Sequence, residues 1–209
     1  MSRATEYLKN LGPMEDFIEH MEGDPNSTYY NVLPDMKYDA DELLAELGSI
    51  VDLADGSWGK DQLHISNVPG HEDDLAYSYG SLVVDHINSK PNDVIFYDEP
   101  IEESDFSSIS TIFKDTTFEK IHSELTAKYK IGRFRVMTSR PTGCLSWHND
   151  ANNRIHFPIK TQRGCFMIVN NEPRHLKKGV GYFVNTRSHH TAVNASRETR
   201  IHLVANVLS

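Results

Sequence analysis

Trp147-His148-Asn149-Asp150 puts an imidazole and a carboxylate two residues apart; His190 follows far downstream, and Arg200 ten positions after it. On an extended strand side chains alternate faces, so His148 and Asp150 share one side while Asn149 points away. A further histidine from a later, adjacent strand completes two imidazoles and one carboxylate on one face of an octahedron. Such a set leaves three positions open and suits a non-haem ferrous ion. A 2-oxo acid can chelate that ion through its keto oxygen and carboxylate, leaving a place for dioxygen. Its distal carboxylate then needs a desolvated cation, which a guanidinium satisfies with two parallel hydrogen bonds. The pattern predicts His148, Asp150 and His190 as metal ligands and catalytic centre, and Arg200 as the carboxylate anchor of an oxygenase.

Each residue also has a plainer reading. His189 competes with His190 for the ligand role, but neighbouring strand residues face opposite ways, and His190 is preferred. A second His-x-Asp pair, His71-Glu72-Asp73, sits among Pro69, Gly70 and Asp74 in a run without strand periodicity, so it reads as a loop and a decoy. Arg154 and Arg200 could each form a structural ion pair, and His156 could be a hydrogen-bonded core histidine. His202 alternates with Arg200 and is a candidate for a supporting role. Trp147, Phe157, Phe166, Tyr182 and Phe183 read as core or pocket wall.

The elements that must position these groups are short. Arg133–Thr138, Cys144–His148, Arg154–Ile159, Cys165–Val169, Gly181–Val184, His190–Val193 and Arg200–Val207 are β-rich runs separated by turn residues, the texture of an antiparallel sandwich, barrel or jelly roll. Before them the spacing predicts helices between Tyr7 and Met21, from Asp39 or Asp41 to Ile50, and over Thr116–Lys130 with Thr117 as cap. Residues 55–110 are rich in turn formers. The expected fold is α+β, mainly β: one domain over 1–209, in which a helical and irregular layer, 1–130, covers core strands in 131–207. About 80 residues of barrel would be marginal alone, so the change near residue 130 marks a layer rather than a domain.

Composition narrows the partners. The formal charge of -9 repels a phosphate backbone and no dense basic run appears, which argues against nucleic acid. Acidic runs at Asp39–Glu46, Glu72–Asp74 and Glu99–Asp105 read as solvated faces or loops. Cys144 and Cys165 each lie in an apolar stretch and are expected to be reduced and buried. No apolar run reaches the roughly 18 residues of a membrane span, and no signal-peptide core follows Met1. A cytoplasmic protein without membrane contact, acting on a small-molecule or peptide substrate, is expected.

Arg133-Phe134-Arg135-Val136, Trp147 to Asp150, Arg154-Ile155-His156-Phe157-Pro158-Ile159, His190-Thr191-Ala192-Val193-Asn194 and Arg200 to Val204 together resemble the Fe(II)- and 2-oxoglutarate-dependent dioxygenases, and within them the aspartyl/asparaginyl β-hydroxylase family. The resemblance implies a double-stranded β-helix of cupin-like type with Fe(II) on His148, Asp150 and His190. It further implies 2-oxoglutarate anchored by Arg200, with Arg154 and His156 beside its carboxylates. Dioxygen is the co-reactant and ascorbate a candidate reductant. Animal members that hydroxylate protein domains carry Gly where this chain has Asp150, so the triad here resembles that of bacterial relatives, which include hydroxylases of free amino acids. Two other classes share the ligands: a cupin-like metal or small-molecule binder without turnover, and a zinc hydrolase. A pure binder has no need of Arg200.

Overall fold

The computed structural model describes residues 26–51, 61–75, 77, 84–85, 95–96 and 101–208; the helix read between Tyr7 and Met21 lies outside the described residues. β1 (Tyr30–Lys37) leads into α1 (Ala40–Ile50), followed by the short strands β2 (Gln62–His64), β3 (Ser66–Asn67), β4 (Val84–Asp85), β5 (Ile95–Phe96) and β6 (Ser108–Ile109). After α2 (Thr117–Thr126) come β7 (Ile131–Ser139), β8 (Gly143–Cys144), β9 (Asn153–Lys160), β10 (Cys165–Val169), β11 (Glu172–Arg174), β12 (Val180–Val184), β13 (His190–Asn194) and β14 (Arg200–Val207). Among the described residues no helix is long and apolar enough to cross a membrane.

The last eight strands pair in nested fashion: β7 with β14, β8 with β13, β9 with β12, and β10 with β11, all antiparallel. That is one long hairpin rolled over on itself, the topology of a jelly roll. Its tip is the two-residue turn Asn170-Asn171, where both residues have positive φ (45° and 70°), as a type I′ hairpin requires. Rolling sorts the strands into two sheets, β1-β12-β9-β14-β7-β2 and β11-β10-β13-β8. The expectation of a mainly β, jelly-roll core covered by helices therefore holds. The larger sheet also takes an edge strand at each side from the N-terminal part, β1 and β2, which extends it beyond the expected 131–207. β1 escaped sequence reading because Pro34 and Asp35 interrupt its pattern. β11 was hidden by Pro173, tolerated because β11 is a sheet edge.

Alternation builds the layers. On β7, β9 and β14 the residues Phe134 and Val136, Ile155, Phe157 and Ile159, and Ile201, Leu203 and Ala205 face one way, into a core closed by Leu43 and Leu47 of α1 and Phe118, Ile121 and Leu125 of α2. α1 begins where expected: the Asp39 carboxylate accepts from the Asp41 and Glu42 amides at 2.8 and 3.1 Å, satisfying two free donors of the first turn. α2 differs. Thr116, not Thr117, is its cap residue, and the Thr116 hydroxyl donates to the Phe113 carbonyl at 2.6 Å instead of capping. The helix ends at Thr126 rather than Lys130. A smaller core of Tyr30, Met167, Val169, Tyr182, Val184 and Ala192 joins the two sheets at the end away from α2.

Phe157 is fully buried and meets the Tyr38 ring edge-on at 5.4 Å. Phe157→Ala is expected to cost about 3–5 kcal/mol, whereas Val32→Thr at an exposed position of β1 should stay within about 0.5 kcal/mol. Urea unfolding of the two variants measures both.

Candidate functional site

The faces of β7, β9 and β14 that do not meet the helices carry Arg133, Arg135, Arg154, His156, Arg200 and His202, and together with β8 and β13 they line a cavity of about 890 Å³ between the sheets. His148 and His190 sit at its wall, joined by two backbone hydrogen bonds, His148 N–H to the His190 carbonyl at 3.0 Å and the reverse at 2.9 Å. The segment expected as a strand from Cys144 to His148 is extended only over Gly143–Cys144, and this isolated bridge takes its place. Asp150 is fixed by its own amide, which donates to the Thr186 carbonyl at 2.9 Å.

The three side chains converge. One ligand atom from each of His148, Asp150 and His190 lies within 4.8 Å of the others. His190 Nε2 is 3.4 Å from Asp150 Oδ2, and His148 Nε2 is 3.9 Å from Oδ1. Each imidazole is oriented from behind, with His148 Nδ1 2.7 Å from the Ser146 carbonyl and His190 Nδ1 3.0 Å from that of Ser188. A carbonyl only accepts, so both Nδ1 atoms carry a proton and both Nε2 atoms are turned toward Asp150. His189 is exposed and packs on Trp147 at 5.3 Å, which leaves His190 as the inward residue. Trp147 is thus no pocket wall but exposed (47%) on the far side of His148. His71 stacks on Tyr77, while the Glu72 carboxylate accepts from the Gly70 amide, so the second His-x-Asp pair serves its own turn.

Arg154 donates to Asp150 Oδ1 at 2.7 Å, leaving Oδ2 buried and without a hydrogen-bond partner. Burial alone raises the Asp150 pKa, but the His190 contact and the Arg154 guanidinium outweigh it and hold the carboxyl below its ordinary range. Arg200 is buried, and its guanidinium makes no hydrogen bond or ion pair with any described residue. Both ring nitrogens of His156 and of His202 are likewise buried without partners, their rings 5.8 Å apart edge to face. These two are not satisfied core histidines.

Sequence spacing gave Arg133 and Arg135 no role beyond a matching strand, although Arg-x-Arg on a strand already puts both on one face. Glu103, from a run expected to be solvated, is instead drawn in to accept from Arg133 Nε at 2.9 Å and Nη2 at 2.6 Å. Cys165 is buried as expected, but Cys144 is exposed at the cavity rim, because β8 is two residues long and forms the edge of its sheet. Both thiols are free.

Burial, followed by repulsion from the neighbouring guanidinia, pushes His156 and His202 well below the ordinary value of 6.5. Burial and then Arg135 and Arg133 lower His64 to about 3. In the unfolded chain these groups take a proton near 6.5 while the folded chain refuses it, so stability is complete above that pH and falls as pH drops below it. Each histidine contributes roughly 1.4 kcal/mol per pH unit. Urea unfolding of the metal-free protein between pH 7.5 and 5 is expected to show this decline, and His64→Leu, outside the cavity, should reduce the slope by one proton.

Residues 113–209 match the family model described as Aspartyl/Asparaginyl beta-hydroxylase. No curated protein matches the chain. Among solved structures, a cupin domain from Bordetella pertussis Tohama I is 16% identical, with 37% of this chain and 81% of that one covered at a TM-score of 0.33. A predicted oxalate decarboxylase from Thermotoga maritima is 17% identical, with 44% and 73% covered at 0.33. AerE from Microcystis aeruginosa is 16% identical, with 37% of this chain but only 36% of AerE covered, also at 0.33. These overlaps span less than half of this chain, and the fold assignment rests on its own strand order. The matched residues 113–209 hold the converging His148, Asp150 and His190 together with Arg200.

Proposed function

We propose that the protein is an Fe(II)- and 2-oxoglutarate-dependent dioxygenase that hydroxylates an unactivated carbon of an amino acid, or of an Asp/Asn-type side chain in a peptide. The carrying observation is that His148 and His190, whose ligand atoms converge with that of Asp150, line the same cavity as the buried guanidinium of Arg200, which has no partner among the described residues. Two imidazoles that present Nε2 and a carboxylate held ionised by its neighbours fit a ferrous ion, and the orphaned Oδ2 of Asp150 is the oxygen available to it. When bound, iron and 2-oxoglutarate activate dioxygen, and the co-substrate leaves as succinate and carbon dioxide while the substrate carbon gains a hydroxyl.

The chain's own groups do the rest. Arg154 keeps Asp150 ionised and turned toward the two histidines. Arg200 takes the distal carboxylate of 2-oxoglutarate, because a desolvated guanidinium without a partner gains most from a bidentate anion. His156 and His202, held neutral, each keep one N–H to give to that co-substrate or to a bound water. Arg200, His156 and His202 are themselves buried, which strengthens the contacts they make.

Succinate release with Fe(II), 2-oxoglutarate and ascorbate is expected from the wild-type chain and not from His148→Ala. A rate no higher than that variant's would make the protein a cupin-like binder, and activity supported by zinc but not iron would make it a hydrolase. Arg200→Ala should raise the half-saturating 2-oxoglutarate concentration about tenfold to a hundredfold, the worth of a charge-assisted pair, with iron affinity nearly unchanged. Equal loss of both would remove Arg200 from the anchor role.

A further inference from the structure

Taking Arg200 as the 2-oxoglutarate anchor, as the proposed function does, the cavity is lined by a second guanidinium, Arg135, that no carboxylate of the described residues meets by hydrogen bond or ion pair. Arg135 lies opposite Val204 on the ladder and Arg200 opposite Ser139, a separation of four residues along β14, or roughly 13 Å at the strand rise. Its side chain is 1% exposed, yet it lines the cavity. Nη1 donates to Gln62 Oε1 at 2.7 Å and Nη2 to Asn206 Oδ1 at 3.1 Å, both neutral oxygens, while Nε is buried with no partner.

The nearby carboxylates are already engaged. Glu103 takes Nε and Nη2 of Arg133, the Arg133 amide at 2.9 Å and Asn206 Nδ2 at 2.6 Å. Asp150 is held by Arg154. Arg135 is therefore fixed in direction by two amide oxygens, with Glu103 and Asp150 acting on it only from a distance, a costly state in a desolvated interior that a directly contacting anion would relieve. A hub that merely tied β2, β7 and β14 together would have no use for the charge.

We infer that Arg135 binds a carboxylate of the prime substrate, so that the substrate is a small carboxylic acid seated between Arg135 and the His148-Asp150-His190 cluster. The cavity of about 890 Å³ admits a molecule of amino-acid size together with 2-oxoglutarate. The carboxylate comes either from a free amino acid or from an acidic side chain on a short peptide.

The test uses the full chain loaded with Fe(II) and 2-oxoglutarate without oxygen, with loading confirmed by calorimetry. The probes are free L-amino acids tested singly, their C-terminal amides, and an amidated tripeptide with a central Asp. Binding is read by the rise in Tm and, on admitting oxygen, by a mass gain of one oxygen atom. At least one free acid is expected to bind tenfold or more tightly than its amide; preference for the Asp tripeptide instead assigns the carboxylate to a peptide side chain and supports the same site. Arg135→Gln should abolish the preference while leaving 2-oxoglutarate affinity nearly unchanged. Gln62→Glu, which sets a carboxylate against Nη1 in the same shape, should do the same, and it decides the matter if Arg135→Gln does not fold. Acids and amides bound alike, no probe bound by the loaded protein, or a preference that survives Gln62→Glu would each overturn the inference while leaving the dioxygenase reading intact. Failure to load iron and 2-oxoglutarate would overturn both.

Discussion

Two-residue alternation along β7, β9 and β14 governs this molecule. One face of the three strands must be apolar to bury α1 and α2, and every second residue is then committed to the other side. There the sequence places arginine, histidine and asparagine, so the interior between the sheets is polar by construction rather than by insertion of a few polar groups into a core. Closing the second sheet over that face makes a cavity in place of a sandwich core, and the apolar contact between sheets is confined to one end.

A buried polar surface is costly unless its donors and acceptors are matched. The wall is matched selectively. Arg133 finds Glu103, and Arg154 finds Asp150, each at hydrogen-bonding distance. Arg200, Nε of Arg135, and the rings of His156 and His202 have no partner among the described residues. Arg135, Arg200, His156 and His202 line the same cavity as His148 and His190.

Much of this was legible in the chain. The β-rich runs from Arg133 onward fell within two residues of observed strands, apart from Cys144–His148, where a two-residue edge strand gives way to a single bridge. The same alternation put His190 inward and His189 outward. β1 and β2 were not legible, since edge strands need satisfy only one neighbour and tolerate Pro34 and the turn-rich surroundings of residue 62. Cys144 and Trp147 were expected inside and lie outside for a related reason: an apolar run says nothing about whether another strand covers it.

By itself the sequence determined which side chains share a face, because a strand's period is local and independent of what packs on it. It thereby aligned Arg154 with His156, and Arg200 with His202, whereas His148 and Asp150 are brought together by an isolated bridge and a loop. Only the tertiary structure decided which charges are neutralised, because a counterion is chosen by proximity in space: Glu103 reaches Arg133 from thirty residues away, and none of the described carboxylates reaches Arg200. That difference between paired and unpaired arginines, invisible along the chain, separates the residues that hold the fold from those free to hold a ligand.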